Sequence, residues 1–165
     1  MSTPLLFAIR KIKDEDVLLT VTQLLLNFGA DPNTKDDNDD WTPLTLASHI
    51  GHKNIVQTLL TNNADPNIRD DYGWIPLIYA CRNGHKEIVQ TLLETSVNPN
   101  VGDNRGWTPL MHASFNGRKK IVQMLLDVGA DPNIVDIVKY TALTLAIQEC
   151  NKKIAKILIR AGAKR

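Results

Sequence analysis

The chain lacks any apolar run approaching the ~20 residues that a membrane-spanning helix needs. Charge returns at Arg10, Lys11 and Lys13 after a very short apolar stretch, so no signal-peptide layout is expected. Neither sign of charge dominates: 19 Lys and Arg against 18 Asp and Glu leave +1, which gives no global pull toward nucleic acid or an anionic membrane. Cysteine is scarce, and Cys81 and Cys150 lie too far apart in sequence to suggest a disulfide framework. A reduced, intracellular setting, most simply the cytoplasm, is expected. Gly-rich phosphate loops, Ser-His-Asp orderings and nucleophile elbows are missing, and the carboxylates cluster in turns rather than as a facing pair. No enzymatic activity, cofactor or small-molecule substrate is therefore expected.

What is present is a period. Thr42-Pro43-Leu44, Ile75-Pro76-Leu77, Thr108-Pro109-Leu110 and Thr141-Ala142-Leu143 begin 33 residues apart. Ala64-Asp65-Pro66-Asn67, Val97-Asn98-Pro99-Asn100 and Ala130-Asp131-Pro132-Asn133 keep the same 33-residue step. Between them lie Gly51-His52-Lys53-Asn54-Ile55-Val56, Gly84-His85-Lys86-Glu87-Ile88-Val89 and Gly117-Arg118-Lys119-Lys120-Ile121-Val122, each followed by paired leucines.

Each marker has a physical reading. Thr before Pro caps a helix, and Pro tolerates the first turn because its missing N–H would be unpaired there. Leu44, Leu46 and Ala47 then face a core, and Gly51, Gly84 and Gly117 end that helix in a left-handed conformation. Ile-Val-x-x-Leu-Leu supplies a second amphipathic helix. The turn residues between Ile68 and Trp74 suit a protruding hairpin. One such unit cannot bury its own apolar face, whereas stacked units share a core. With 165 residues, 43% hydrophobic and 22% charged, one folded domain is expected.

At these residues the chain closely resembles the ankyrin-repeat family, from about Thr3 to Ala163. The resemblance implies an all-α solenoid of about five helix-turn-helix repeats with β-hairpin loops, forming a single domain over 1–165. Its repeats span 1–36, 37–69, 70–102, 103–135 and 136–165, the first and last acting as caps. In the first repeat the markers are 27 rather than 22 residues apart, which predicts a lengthened inter-helix loop around Lys11–Asp16, either a capping variation or a contact loop. Lys152, Lys153, Lys156 and Arg160 interleave with Ile154, Ile157 and Leu158, as a terminal helix with one wet face requires.

The family binds proteins through hairpin tips and inner-helix ends on a concave face. Carried onto this chain, that face holds Trp41, Trp74, Trp107 and Tyr140, one aromatic immediately before each helix start and including every tryptophan. Such rings serve equally as interface anchors and as braces between hairpin and helix. Asp39, Tyr72, Arg105 and Val138 join them from the hairpins, and His49, Arg82 and Phe115 from the inner-helix ends. Asp36, Asp37, Asp39 and Asp40 crowd the first hairpin while Ile137 and Val138 make the last apolar, so a protein partner with a basic patch beside an apolar one is expected. The expected function is a monomeric, non-enzymatic scaffold; the alternative is a regulatory inhibitor masking an enzyme or transcription factor. No nucleic-acid or membrane partner is expected.

Several departures from the pattern matter. Asp40 and Lys139 replace the hairpin glycine kept as Gly73 and Gly106, and for Lys the left-handed conformation costs ~1–2 kcal/mol. Thr45, Ile78, Met111 and Thr144 stand where the family often has histidine, so its bond to the capping threonine is not expected. His52 and His85 occupy a family position that satisfies loop backbone, His112 reads as a packed inner-helix residue, and no metal set is expected. Cys81 reads as buried and inert, Cys150 as more exposed. Asn33, Asn67, Asn100 and Asn133 each follow a leucine by eight residues, resembling the family's asparagine-hydroxylation pattern; as residues they more simply fix the hairpin entry by side-chain hydrogen bonds.

Overall fold

The capping chemistry of Thr-Pro starts the inner helices. In the computed structural model, which describes residues 3–164, the hydroxyls of Thr3, Thr42 and Thr108 accept the N–H groups of Leu6, Thr45 and Met111, with Pro in the first turn. Residues 1, 2 and 165, at the ends of the expected domain, lie outside the described chain. Among the described residues the helices are α1 (Pro4–Lys11), α2 (Glu15–Asn27), α3 (Pro43–Ile50), α4 (Lys53–Thr61), α5 (Pro76–Asn83), α6 (Lys86–Leu93), α7 (Pro109–Phe115), α8 (Lys119–Asp127), α9 (Ala142–Gln148) and α10 (Lys152–Arg160). Odd-numbered helices pack in one row and even-numbered in another, each pair antiparallel across a short loop.

The core follows the period. Leu44, Leu77, Leu110 and Leu143 are at most 1% exposed, as are Ala47, Ala80, Ala113 and Ala146 one turn on. The alanines let successive inner helices approach closely, and Ile55, Ile88, Ile121 and Ile154 close the core from the outer row. At the C-terminal end α10 buries Ile154 and Leu158 and exposes all four basic residues, the one-sided helix its sequence calls for. The N-terminal end is less polar: Phe7, Val17, Leu24 and Phe28 remain exposed, Phe28 by 88%.

Three expectations are corrected. The extra residues of the first repeat do not form a long loop: only residues 12–14 separate α1 from α2, and α2 is 13 residues long where α4 has 9. Asp14 caps the added turn by accepting the N–H groups of Asp16 and Val17, so the insertion extends a helix. The missing histidine is replaced in two repeats: the Thr45 hydroxyl lies 3.0 Å from that of Thr42, and Thr144 and Thr141 form a reciprocal capping box. Finally, the fingers between repeats contain no paired strand among the described residues. Each is bridged by a backbone bond such as Asp70 N–H to Trp74 O at 3.0 Å, with a turn bond such as Gly73 N–H to Asp70 O at 2.9 Å inside the last three, while the Trp74 N–H turns to the Asp70 side chain instead. A side-chain acceptor has replaced the second rung of a hairpin.

Asp40 and Lys139 adopt the expected left-handed conformation, with φ of 57° and 72°. At Gly73 and Gly106 a Cβ would meet the next finger, at 2.3 Å from Asn104 and 3.1 Å from Asp136 respectively. Among the described residues no finger packs against Lys139, so a side chain fits there at the cost of backbone strain alone. Lys139→Gly is expected to stabilise the protein by about 0.5–1 kcal/mol and Lys139→Ala not at all, measured by urea unfolding.

Candidate functional site

Each finger is fixed by one buried aspartate, and these four carboxylates organise the face formed by the fingers and the inner-helix ends. Asp36, Asp70, Asp103 and Asp136 are no more than 9% exposed. In every case Oδ1 accepts two finger N–H groups: from Asp39 and Trp41, Tyr72 and Trp74, Arg105 and Trp107, Val138 and Tyr140. Oδ2 differs from repeat to repeat. It takes the Arg10 guanidinium at Asp36, the Tyr79 hydroxyl at Asp70 (2.5 Å), His112 Nε2 at Asp103 (3.1 Å) and the Trp107 indole N–H at Asp136 (2.8 Å).

Burial pushes the Asp36 carboxyl up, but the Arg10 guanidinium with the Trp41 and Asp39 amides outweighs it, leaving that carboxyl below its ordinary 3.8. At Asp103 the same balance is struck by His112 with the Trp107 and Arg105 amides. Burial holds the His112 imidazole below 6.5 against the upward pull of Asp103, so neutral His112 donates its Nε2 proton. Tyr79 is driven upward by burial and by Asp70, and stays a hydroxyl donor.

Thus anchored, the aromatic rings form a continuous chain. Trp41 meets His49 and Tyr79, each at 5.0 Å; Trp74 meets Tyr79 at 4.8 Å and His112 at 4.6 Å; Trp107 meets His112 at 5.2 Å and Phe115 at 5.4 Å. The tryptophans therefore do not stack on one another. Inner-helix rings of the next repeat separate them. All three are half-buried, so each both braces a finger and presents surface.

Two grooves open on this face. One, of ≈ 370 Å³, lies between the second and third fingers and is lined by Tyr72, Trp74, Arg82, Arg105, Trp107 and Phe115 above Asp103 and His112. The other, of ≈ 350 Å³, is lined by Asp39, Trp41, His49, Tyr72, Trp74, Tyr79 and Arg82. Nine of the expected site residues thus come together. Tyr140 and Val138 do not; they stand exposed on the fourth finger, outside both grooves, with no facing wall among the described residues.

The expected acidity of the first finger is also reduced. Asp36 is buried against Arg10, and Asp40 pairs with Lys35 at 2.7 Å. Sequence reasoning missed Tyr79 and the role of His112, although Leu46, Tyr79, His112 and Leu145 share the 33-residue step, as do Asp70, Asp103 and Asp136.

Backbone staples hold neighbouring repeats in register. His85 Nε2 reaches His49 O at 3.1 Å, Arg118 Nε reaches Arg82 O at 3.1 Å, and Asn151 Nδ2 reaches Ser114 O at 3.0 Å. His52 bonds Glu15 across the first joint. Asn33, Asn100 and Asn133 accept the N–H groups of Asp65, Asp131 and Lys164 in the next repeat, each at 2.8 Å, tying the finger entries together. Among the described residues no group of three or more His, Cys, Asp or Glu is placed to hold a metal ion. Cys81 is fully buried, which pushes its thiol up, and Cys150 is exposed.

A family model described as ankyrin repeats (3 copies) matches residues 2–70, 47–136 and 97–164. The chain belongs to the ankyrin-repeat family. Among curated proteins it is 45% identical over 51 residues to the phosphate system positive regulatory protein PHO81 of Saccharomyces cerevisiae, covering 31% of this chain and 4% of that protein. It is 38% identical over 65 residues to the human 2-5A-dependent ribonuclease (39% of this chain, 8% of the relative). It is 43% identical over 53 residues to the ankyrin repeat and KH domain-containing protein mask-1 of Caenorhabditis elegans (32% and 2%). The chain thus spans less than a tenth of the length of these relatives.

Asp103→Ala removes the acceptor of three bonds and is expected to cost about 2–3 kcal/mol in urea unfolding. A pH series should show a separate effect. Unfolded histidine titrates near 6.5, whereas burial holds folded His49 and His112 lower, so stability falls as pH drops through 6.5. Asp36 and Asp103 add a second loss below 3.8. His112→Tyr, which copies the Tyr79–Asp70 pair, is expected to fold and to flatten the upper of these two slopes.

Proposed function

We propose that residues 1–165 act as one ankyrin-repeat domain that binds a protein partner, without catalysis, on the concave face of fingers and inner helices. Ankyrin repeats generally mediate protein–protein interaction, and no helix among the described residues is long and apolar enough to cross a membrane. The observation that carries the finer reading is the aromatic chain from His49 to Phe115, held in place by buried carboxylates and opening into two adjoining grooves. Rings already fixed lose little freedom on binding, which is what an interface anchor needs. Free Cys81 and Cys150 suit an intracellular setting.

A second reading is regulation by masking an enzyme or transcription factor; the yeast relative is by name a positive regulatory protein, which favours a regulatory role without specifying masking. Adding the purified chain to the activity assay of its captured partner separates masking from passive tethering.

Tyr72 is 59% exposed and walls both grooves, so it tests the face without disturbing the core. Tyr72→Ala is expected to weaken capture of the partner at least tenfold, about 1.4 kcal/mol, while unfolding stability stays within ~0.5 kcal/mol. Gln123→Ala on the outer row should leave capture unchanged. Equal capture by both variants in a quantitative pull-down would remove the concave face from the function.

A further inference from the structure

We propose that the groove between the second and third fingers receives an acidic–apolar peptide segment, with a bulky apolar side chain seated above the His112 ring against Trp74, Trp107 and Phe115 and an adjacent carboxylate held by Arg82 and Arg105. The proposal rests on the concave-face reading and specifies its partner.

The walls set the apolar half. Trp74 and Trp107 come from successive fingers, and Phe115 extends the second wall from the end of α7. The ≈ 370 Å³ between them is room for one or two large side chains. Because the neighbouring groove shares Tyr72, Trp74 and Arg82, the space is a channel along the face, suited to a passing chain.

Charge sets the other half. Arg82 stands over Trp74 with its guanidinium carbon 5.2 Å from the ring centroid, and Arg105 rises from the third finger; both are exposed. Among the described residues neither guanidinium has a carboxylate partner within 4.0 Å. Asp103 also borders the groove, but its Oδ1 accepts from the Arg105 and Trp107 amides and its Oδ2 from His112. Two unpaired guanidiniums on fixed aromatic walls therefore face the occupant, and guanidinium geometry matches a carboxylate with two parallel bonds. The acidic first finger, half neutralised by Arg10 and Lys35, lies beyond this groove. The basic partner expected from finger charges alone gives way here to an acidic one.

An unbiased display library of short random peptides, panned on the immobilised full chain, tests this directly. Enriched sequences are expected to pair Asp or Glu with a large apolar residue. A labelled synthetic copy should lose at least tenfold in affinity when its acid is changed to the amide. It should lose a comparable factor against the double variant Arg82→Gln with Arg105→Gln, whose unfolding midpoint stays unchanged because both positions are exposed. Enrichment of basic or uncharged peptides, undiminished binding by the double variant, tighter binding of a labelled oligothymidylate, or no enrichment at all would each overturn the proposal. In those cases a Tyr72→Ala variant that still loses capture of a folded partner leaves the concave-face function standing.

Discussion

Removing a carboxylate from water is expensive unless its oxygens are filled, and this molecule does so four times at nearly regular intervals. Asp36, Asp70, Asp103 and Asp136 each bind their own finger through two backbone amides and a second element through the remaining oxygen. Without that pair of bonds a finger of five or six residues would keep only its closing rung, a turn bond in three of the four and at most one backbone bond to the next finger, and nothing would hold the amide of its last residue. With it, the residue before each helix N-cap is fixed by its own N–H, and Trp41, Trp74 and Trp107 present half-buried rings. The orientation of the concave face is thus a consequence of carboxylate desolvation.

The second oxygen is where the repeats diverge, and the divergence has a structural logic. Arg10 reaches Asp36 from the repeat before, and Trp107 likewise reaches forward to Asp136, so these two bonds join repeats. Tyr79 and His112 bond the aspartate of their own repeat, and their rings fill the gap between one tryptophan and the next. A polar requirement deep in the finger therefore selects which buried ring each tryptophan packs against. Chemistry of the anchor and chemistry of the surface are coupled through single side chains.

The fold was legible because its signals are local and repeated: a Thr-Pro cap, a left-handed glycine and a leucine pair recur in phase, so a misreading at one repeat is corrected by the next. The site was legible in part. Trp41, Trp74, Trp107, Tyr72, Arg82 and Phe115 follow from position, but Tyr79 does not, since only its hydroxyl's contact with Asp70, nine residues away, separates it from an ordinary core residue. The first repeat was misread because five additional residues look the same in sequence whether they lengthen a loop or a helix; the Asp14 cap decides it. Thr45 and Thr144 were undervalued because a threonine three residues after a capping threonine looks unremarkable until their hydroxyls are seen to meet. Finger acidity was overvalued because charge counted along a chain takes no account of burial.

The ends of the array show which constraints come from neighbours and which from the backbone. At Gly51 a Cβ would lie 2.6 Å from the His85 ring, and at Gly84 3.0 Å from Arg118, because the next repeat's staple passes over the helix end. Cys150 occupies the same place with φ of 55° and is exposed, with no staple over it among the described residues. Lys139 repeats the argument in the last finger. Both positions keep the left-handed backbone, so that demand is intrinsic to the turn, while the demand for an absent side chain is imposed from outside. The same distinction governs the surface: Tyr140 has its finger bonds but no ring from a following repeat, and it stands exposed instead of forming a groove. A groove in this architecture is a property of two adjacent repeats, and the one between the central fingers has a tryptophan on each side and arginines at its rim.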